Sequence, residues 1–235
     1  MSQLFVMGDT HGDIKNFVKL KEECDIRYGD SVVVCGDFGF IWEPKEKAMR
    51  IGGGEYWLDW LNRQKWTTFF IDGNHENFSR LKEYPVVEYN KAKVHEIRNS
   101  VFHIMRGEVI ELEGYKIFCY GGARSVDRVY REPGVSWWPE EIPSKEEYEN
   151  AILNLRKNNN EVDYIITHEM PDLYCKEFYG TRYTKGYRTA YELNDFLRMC
   201  SYKKWFCGHH HFDGAIRPNF QVCFQRIYKI GEKNE

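Results

Sequence analysis

The chain has 235 residues, 42% of them hydrophobic and 29% charged, with a formal net charge of −3. That apolar share suffices for a core, and the near-neutral balance advertises no general attraction for nucleic acid or for an anionic membrane. No apolar run is long enough to cross a bilayer, no secretory-type segment precedes the first strand, and the seven cysteines form no C-x-x-C pair, so a reduced cytoplasmic setting is expected.

In chain order, Leu4-Phe5-Val6-Met7 is a β-branched and aromatic run and predicts a strand; Asp9, His11 and Gly12 follow it. Ile14, Phe17, Val18 and Leu20 then repeat at helical spacing, with Asp13 as the expected cap. Val32-Val33-Val34-Cys35 is a second strand ending in Gly36-Asp37, and residues 55–64 form a helix with Trp57, Leu58 and Leu61 on one face. Phe69-Phe70-Ile71 leads into Gly73-Asn74-His75-Glu76, and a short helix over 77–84 stops before Pro85. Residues 93–122 read as a meander or as hairpins of short strands, broken at Arg98-Asn99-Ser100, Arg106-Gly107 and Glu113-Gly114. Residues 125–143 form a long irregular segment, which Trp137 and Trp138 are expected to pin to the core. Ser144 and Glu147 spell a capping box for a helix over 145–157. Tyr164-Ile165-Ile166-Thr167 ends in His168, and 170–185 reads as irregular. A helix over 187–199, a strand Trp205-Phe206-Cys207 ending in Gly208-His209-His210-His211, and one or two closing strands within 216–230 complete the chain.

Five strands thus each deliver an Asp, Asn or His at their carboxyl end, the edge where open α/β sheets build sites. Residues from 9 to 211 must meet in one place, so a single domain over 1–235 is the economical expectation. The set mixes imidazole, carboxylate and one neutral amide and includes no Cys. It suits Mn, Fe, Ni or Zn in a catalytic site better than thiolate-bound structural zinc. It is too large for one ion and about right for two, the arrangement that hydrolyses phosphate esters. Cys24, Cys175, Cys200 and Cys223 have no ligand-like spacing, and His95, His103 and His210 stand outside the pattern, the last expected to point away from its neighbours.

The order D-x-H, G-D, G-N-H-E, H, G-H-x-H resembles the calcineurin-like metallophosphoesterase superfamily, over nearly the whole chain from Asp9 to His211. The resemblance implies a four-layer α/β/β/α sandwich of two mixed sheets flanked by helices, with the metals at the carboxyl ends of the strands. It implies that Asp9, His11 and His211 hold one metal ion, that Asn74, His168 and His209 hold a second, and that Asp37 bridges them. His75 would face the substrate. The expected activity is hydrolysis of a small or nucleotide-like phosphate monoester or diester by in-line attack of a metal-bridging hydroxide.

The sequence departs from that pattern at three positions. Phe40 and Ile41 stand where the phosphatase branch has an Asp that orients the histidine and an Arg that grips phosphate, and Asp72 stands where a second Arg would precede G-N-H-E. Glu43 and Glu76 are the candidate partners for His75, and Arg124 or Arg128, in the loop after Gly121-Gly122-Ala123, the candidate phosphate donors. With fewer cationic donors the expectation shifts slightly towards diesters. The alternatives are a Ser/Thr protein phosphatase and a metal-bound, non-catalytic interaction module.

Overall fold

Strands buried on both faces need mostly apolar residues, and the first two strands have them: β1 (Leu4–Met7) is apolar throughout and β2 (Ser31–Val34) apart from Ser31, and both are buried at every position. The computed structural model describes residues 2–180 and 187–231. In β1, Leu4 and Val6 face one core, and Phe5 and Met7 the other, as the period of two requires. β1 and β2 run parallel to each other and to β3 (Thr67–Phe70) and β6 (Val101–Ile104). The antiparallel strands β4 (Val86–Tyr89), β5 (Ala92–Arg98) and β13 (Ile227–Lys229) complete a sheet ordered β13-β1-β2-β3-β6-β5-β4.

The second sheet contains β7 (Glu108–Leu112), β8 (Tyr115–Tyr120), β9 (Tyr164–Thr167), β10 (Lys204–Cys207), β11 (Gly214–Arg217) and β12 (Phe220–Val222), ordered β11-β12-β10-β9-β8-β7. The inner faces meet in one core that includes Val33, Phe69, Ile110, Ile117, Ile166 and Phe206. Outside the first sheet, α1 (Lys15–Glu23) and α3 (Gly54–Asn62) contribute Phe17, Leu20, Leu58 and Leu61 to a second core. Outside the other sheet lie α5 (Lys145–Lys157), α6 (Asp172–Tyr179) and α7 (Arg188–Met199), which contribute Ala151, Leu155, Cys175, Leu193 and Phe196 to a third. Two short helices, α2 (Lys45–Ala48) and α4 (Phe78–Leu81), complete the α-helices among the described residues. The layering is the expected α/β/β/α sandwich.

Several local expectations hold. The Ser144–Glu147 capping box is formed in both directions. Asp13 is not the N-cap of α1: that position is Ile14, with no side-chain cap, and the Asp13 carboxylate lies one residue ahead of it and accepts from Lys15 N–H at 3.0 Å. Trp138 is buried, donates to Ser79 Oγ at 2.9 Å and packs edge-on against Trp42, so it does pin the long loop.

Three further expectations need correcting. Residues 93–122 take the hairpin alternative and not the meander, with one hairpin in each sheet: β5 and β6 pair in the first, and β7 and β8 pair in the second. The chain changes sheets at Arg106-Gly107, where Gly107 has φ +80° and an added Cβ would lie 2.8 Å from the Ala151 backbone. The stretch after Met170 contains α6, started by Pro171 and Asp172; residues 181–186 lie outside the described residues. The closing segment forms three strands, divided between the two sheets.

The sheet change is tied down by a buried charge cluster. Arg106 Nε donates to Asp72 Oδ2 at 2.8 Å, His103 Nε2 lies 3.2 Å from Asp72 Oδ1, and Arg106 Nη1 donates to Glu147 Oε2 at 3.1 Å. Burial alone would raise the Asp72 carboxyl; Arg106 and His103 outweigh it and hold it well below the usual carboxylate range. Arg106→Met leaves Asp72 buried without its cation, and urea unfolding is expected to show a loss of about 3–5 kcal/mol. An unchanged midpoint would mean that the tie contributes nothing to stability.

Candidate metal centre

All seven ligand-type residues sit just beyond the carboxyl ends of β1, β2, β3, β9 and β10, which bring them together from both sheets. His11 Nε2 lies 3.1 Å from His211 Nε2 and 3.8 Å from Asp9 Oδ2, and His211 Nε2 lies 3.2 Å from the same oxygen. His168 Nε2 lies 3.1 Å from Asn74 Oδ1 and 3.3 Å from Asp37 Oδ1. Asp9, His11 and His211 converge closely enough to hold a cation, and so do Asp9, Asp37 and His168. Asp37 stands between the groups: Oδ1 faces His168, and Oδ2 lies 3.8 Å from His11 Nε2. His209 packs beside His168, ring centres 4.9 Å apart, and its N–H donates to Asp9 Oδ1 at 3.0 Å.

The backbone is shaped to bring these groups so close. His11, Asp37, His209 and His211 all have positive φ, between 46° and 65°, a region that costs an L-residue roughly 1 kcal/mol or more. At Gly36 an added Cβ would lie 2.3 Å from His168 Nδ1, and at Gly73 2.0 Å from Asp37 Oδ1. The glycines preceding the ligands are therefore needed for close approach as well as for turning.

The donor set fits metal ions. His168 Nδ1 is engaged by the Cys35 carbonyl at 2.8 Å, which leaves Nε2 facing the centre. Asn74 Nδ2 donates to Ser125 Oγ at 3.1 Å, which leaves its oxygen facing the same way. Burial alone would lower His168; the Asp37 and Asp9 carboxylates outweigh it and raise the group to about 10. The buried carboxylates call for positive charge, which a cation would supply in place of that proton. Burial lowers His209 to about 4, so it stands as a neutral imidazole suited to ligation.

His75 is held beside this cluster by its own N–H, which donates to Asp37 Oδ1 at 2.8 Å. Glu43 and Glu76 are engaged elsewhere: Glu43 accepts from Arg50 at 2.7 Å, and Glu76 from Phe38 N–H at 2.8 Å. The group on His75 is Arg131, whose Nη1 and Nη2 lie 3.0 and 3.2 Å from the two ring nitrogens. Asp127 Oδ2 anchors that guanidinium at 2.8 Å, and the Ser136 carbonyl accepts from it at 3.3 Å. Burial, with Arg131 adding to it against Asp37, lowers the His75 pKa. The other two arginines of the loop stack on aromatic rings: Arg124 lies 4.2 Å from the centre of Tyr187, which lines the adjoining cavity, and Arg128 lies 5.9 Å from that of Trp137. The loop singled out in the sequence thus reaches the site through its third arginine. The i to i+4 spacing of Asp127 and Arg131 was the available signal for that anchoring.

A cavity of about 420 Å3 adjoins the cluster, lined by Asp37, Asn74, His75 and His209 on one side and by Val126, Tyr179 and Tyr187 on another. Glu169, next to His168, also lines it and went unnoticed in the sequence.

Among the described residues no helix is long and apolar enough to cross a membrane. A search of curated proteins finds no match. A solved structure similar to this chain is that of a Staphylococcus aureus protein provisionally described as a 5'-nucleotidase, in complex with alpha-ketoglutarate. The identity is 13% and the TM-score 0.51, over 97% of this chain and 50% of the other, so the likeness is one of fold, and this chain spans half of that one. The sequence itself matches the calcineurin-like phosphoesterases over residues 3–213, a span that takes in every ligand-type residue described above. With that match, the chain belongs to the calcineurin-like phosphoesterase family.

Proposed function

We propose that the protein hydrolyses phosphate esters with two metal ions, one held by Asp9, His11 and His211, the other by Asn74, His168 and His209, with Asp37 shared. The observation that carries this reading is the Asp37 carboxylate, whose two oxygens face the two histidine groups at 3.3 and 3.8 Å. When bound, such a pair polarises a phosphoryl oxygen and acidifies water to supply the nucleophile near neutral pH.

The chain's own groups do the rest. His75 is kept neutral by burial and by the neighbouring guanidinium, so it serves as a hydrogen-bond donor to the leaving oxygen rather than as an imidazolium. Arg131 is fixed beside it by Asp127 and supplies the planar cationic donor that Ile41 and Asp72 do not. Arg124 stacks on Tyr187, which lines the cavity, and is better suited to support the wall that meets the body of a substrate than to grip its phosphoryl group. Arg128, on Trp137, supports the loop.

The first test is turnover of p-nitrophenyl phosphate and bis-p-nitrophenyl phosphate by metal-stripped protein, with Mn, Ni, Zn or Mg added back. Turnover restored by metal is expected; two ions bound with no turnover of any ester would favour the interaction module. His75→Ala is expected to keep its metals and lose about 10²–10⁴ in kcat, and loss of metal from that variant would overturn the role given to His75. Asp37→Ala is expected to lose metal and activity together, as read by metal analysis of the purified variant. Arg131→Ala should lower kcat/KM for the monoester by roughly 10–100-fold, and more than for the diester, because the monoester dianion presents more charge to grip. Equal losses on both esters would leave Arg131 only as a prop for His75.

A further inference from the structure

His210 lies between two ligand-type residues yet turns away from them, into a second cluster. Its side chain is 5% exposed, and its Nε2 stands 2.9 Å from Glu169 Oε1. That contact is misaligned for a hydrogen bond, so Nε2 is buried with no hydrogen-bond partner among the described residues. Its other nitrogen, Nδ1, is engaged by the Tyr179 hydroxyl at 2.7 Å. Cys175 Sγ lies 3.9 Å from Glu169 Oε1, and the Glu169, Cys175 and His210 ligand atoms all fall within 4.8 Å of one another.

An imidazole nitrogen and a carboxylate oxygen this close repel unless a proton or a cation lies between them. With Nδ1 engaged by Tyr179, Nε2 is the ring nitrogen that faces the carboxylate, which is how a second polar group orients a metal-binding histidine. The donors of a tetrahedral ion stand roughly 3–4 Å apart, and the observed 2.9 and 3.9 Å bracket that spacing. All three residues line the cavity, so an ion has a route in and an open position for water or an anion.

We propose that Glu169, Cys175 and His210 form a third metal site, separate from the paired ligands and suited to a borderline-soft divalent ion such as Zn²⁺. On binding, the Cys175 thiol gives up its proton to solvent, a sulfur–metal bond forms, and the His210 Nε2 lone pair and the Glu169 carboxylate complete the protein's share of the coordination. Glu169 Oε2 lies 3.7 Å from His209 Nε2, so the two sites share a wall through neighbouring histidines.

The test is a Co²⁺ titration of the metal-stripped protein, followed by absorption. The paired ligand set contains no cysteine, and among the described residues no other candidate metal cluster contains one. A thiolate-to-cobalt charge-transfer band therefore reports this site alone, whether or not the paired site fills or the protein turns over any ester. The band is expected in the wild type, lost in Cys175→Ser together with one bound ion per chain, and formed at least 10-fold more weakly in His210→Gln. No band in the wild type overturns the site, and so does a band that persists in Cys175→Ser. Should Cys175→Ser fail to fold, His210→Gln and Glu169→Gln decide the matter: cobalt affinity unchanged in both rejects the site.

Discussion

The position of the Asp37 carboxylate is the constraint around which the centre is arranged. It is buried, accepts the His75 backbone N–H, and points one oxygen towards each histidine group. A carboxylate so enclosed is costly without positive charge nearby. The surrounding features all serve that placement: left-handed backbone at four site residues, glycines beside the carboxylate and against His168, and the His168 imidazole, whose far nitrogen is already engaged. The tight turns cost stability locally, and burial of strands on both faces offsets it.

The centre was legible in the sequence because its signals are local. Each ligand-type residue follows an apolar run by one to four residues, and a strand that is buried on both faces announces itself by composition alone. Phe40 and Ile41 were legible as departures, and both are now seen as buried hydrophobic residues in the core outside the first sheet. That explains why no Asp or Arg could act from those positions in this chain.

What escaped the sequence depends on where a segment goes rather than on what it is made of. Arg131 arrives from an irregular loop, and its reach is set by the Asp127 tether and the Ser136 carbonyl. Glu169 and Cys175 come together because α6 begins at once after β9, whereas the aromatic-rich wording after Met170 reads as a loop. The strands in 93–122 were recognisable singly, but their partners depended on a change of sheet at Gly107 that tight packing against α5 imposes. Local composition identifies strands; only the packed layers decide which sheet each one joins.

The centre straddles the seam between the two sheets. Asp9, His11, Asp37 and Asn74 project from the first sheet, and His168, His209 and His211 from the second. Between them the layers share an apolar core, which resists separation but is indifferent to small lateral slippage. Ligands drawn from both sides resist slippage directly, as a rivet does between two plates. Ions seated there would bind only the registered arrangement, and linkage then makes the register more secure as occupancy rises. In this architecture the cofactor would be a mechanical part of the protein as well as a chemical one.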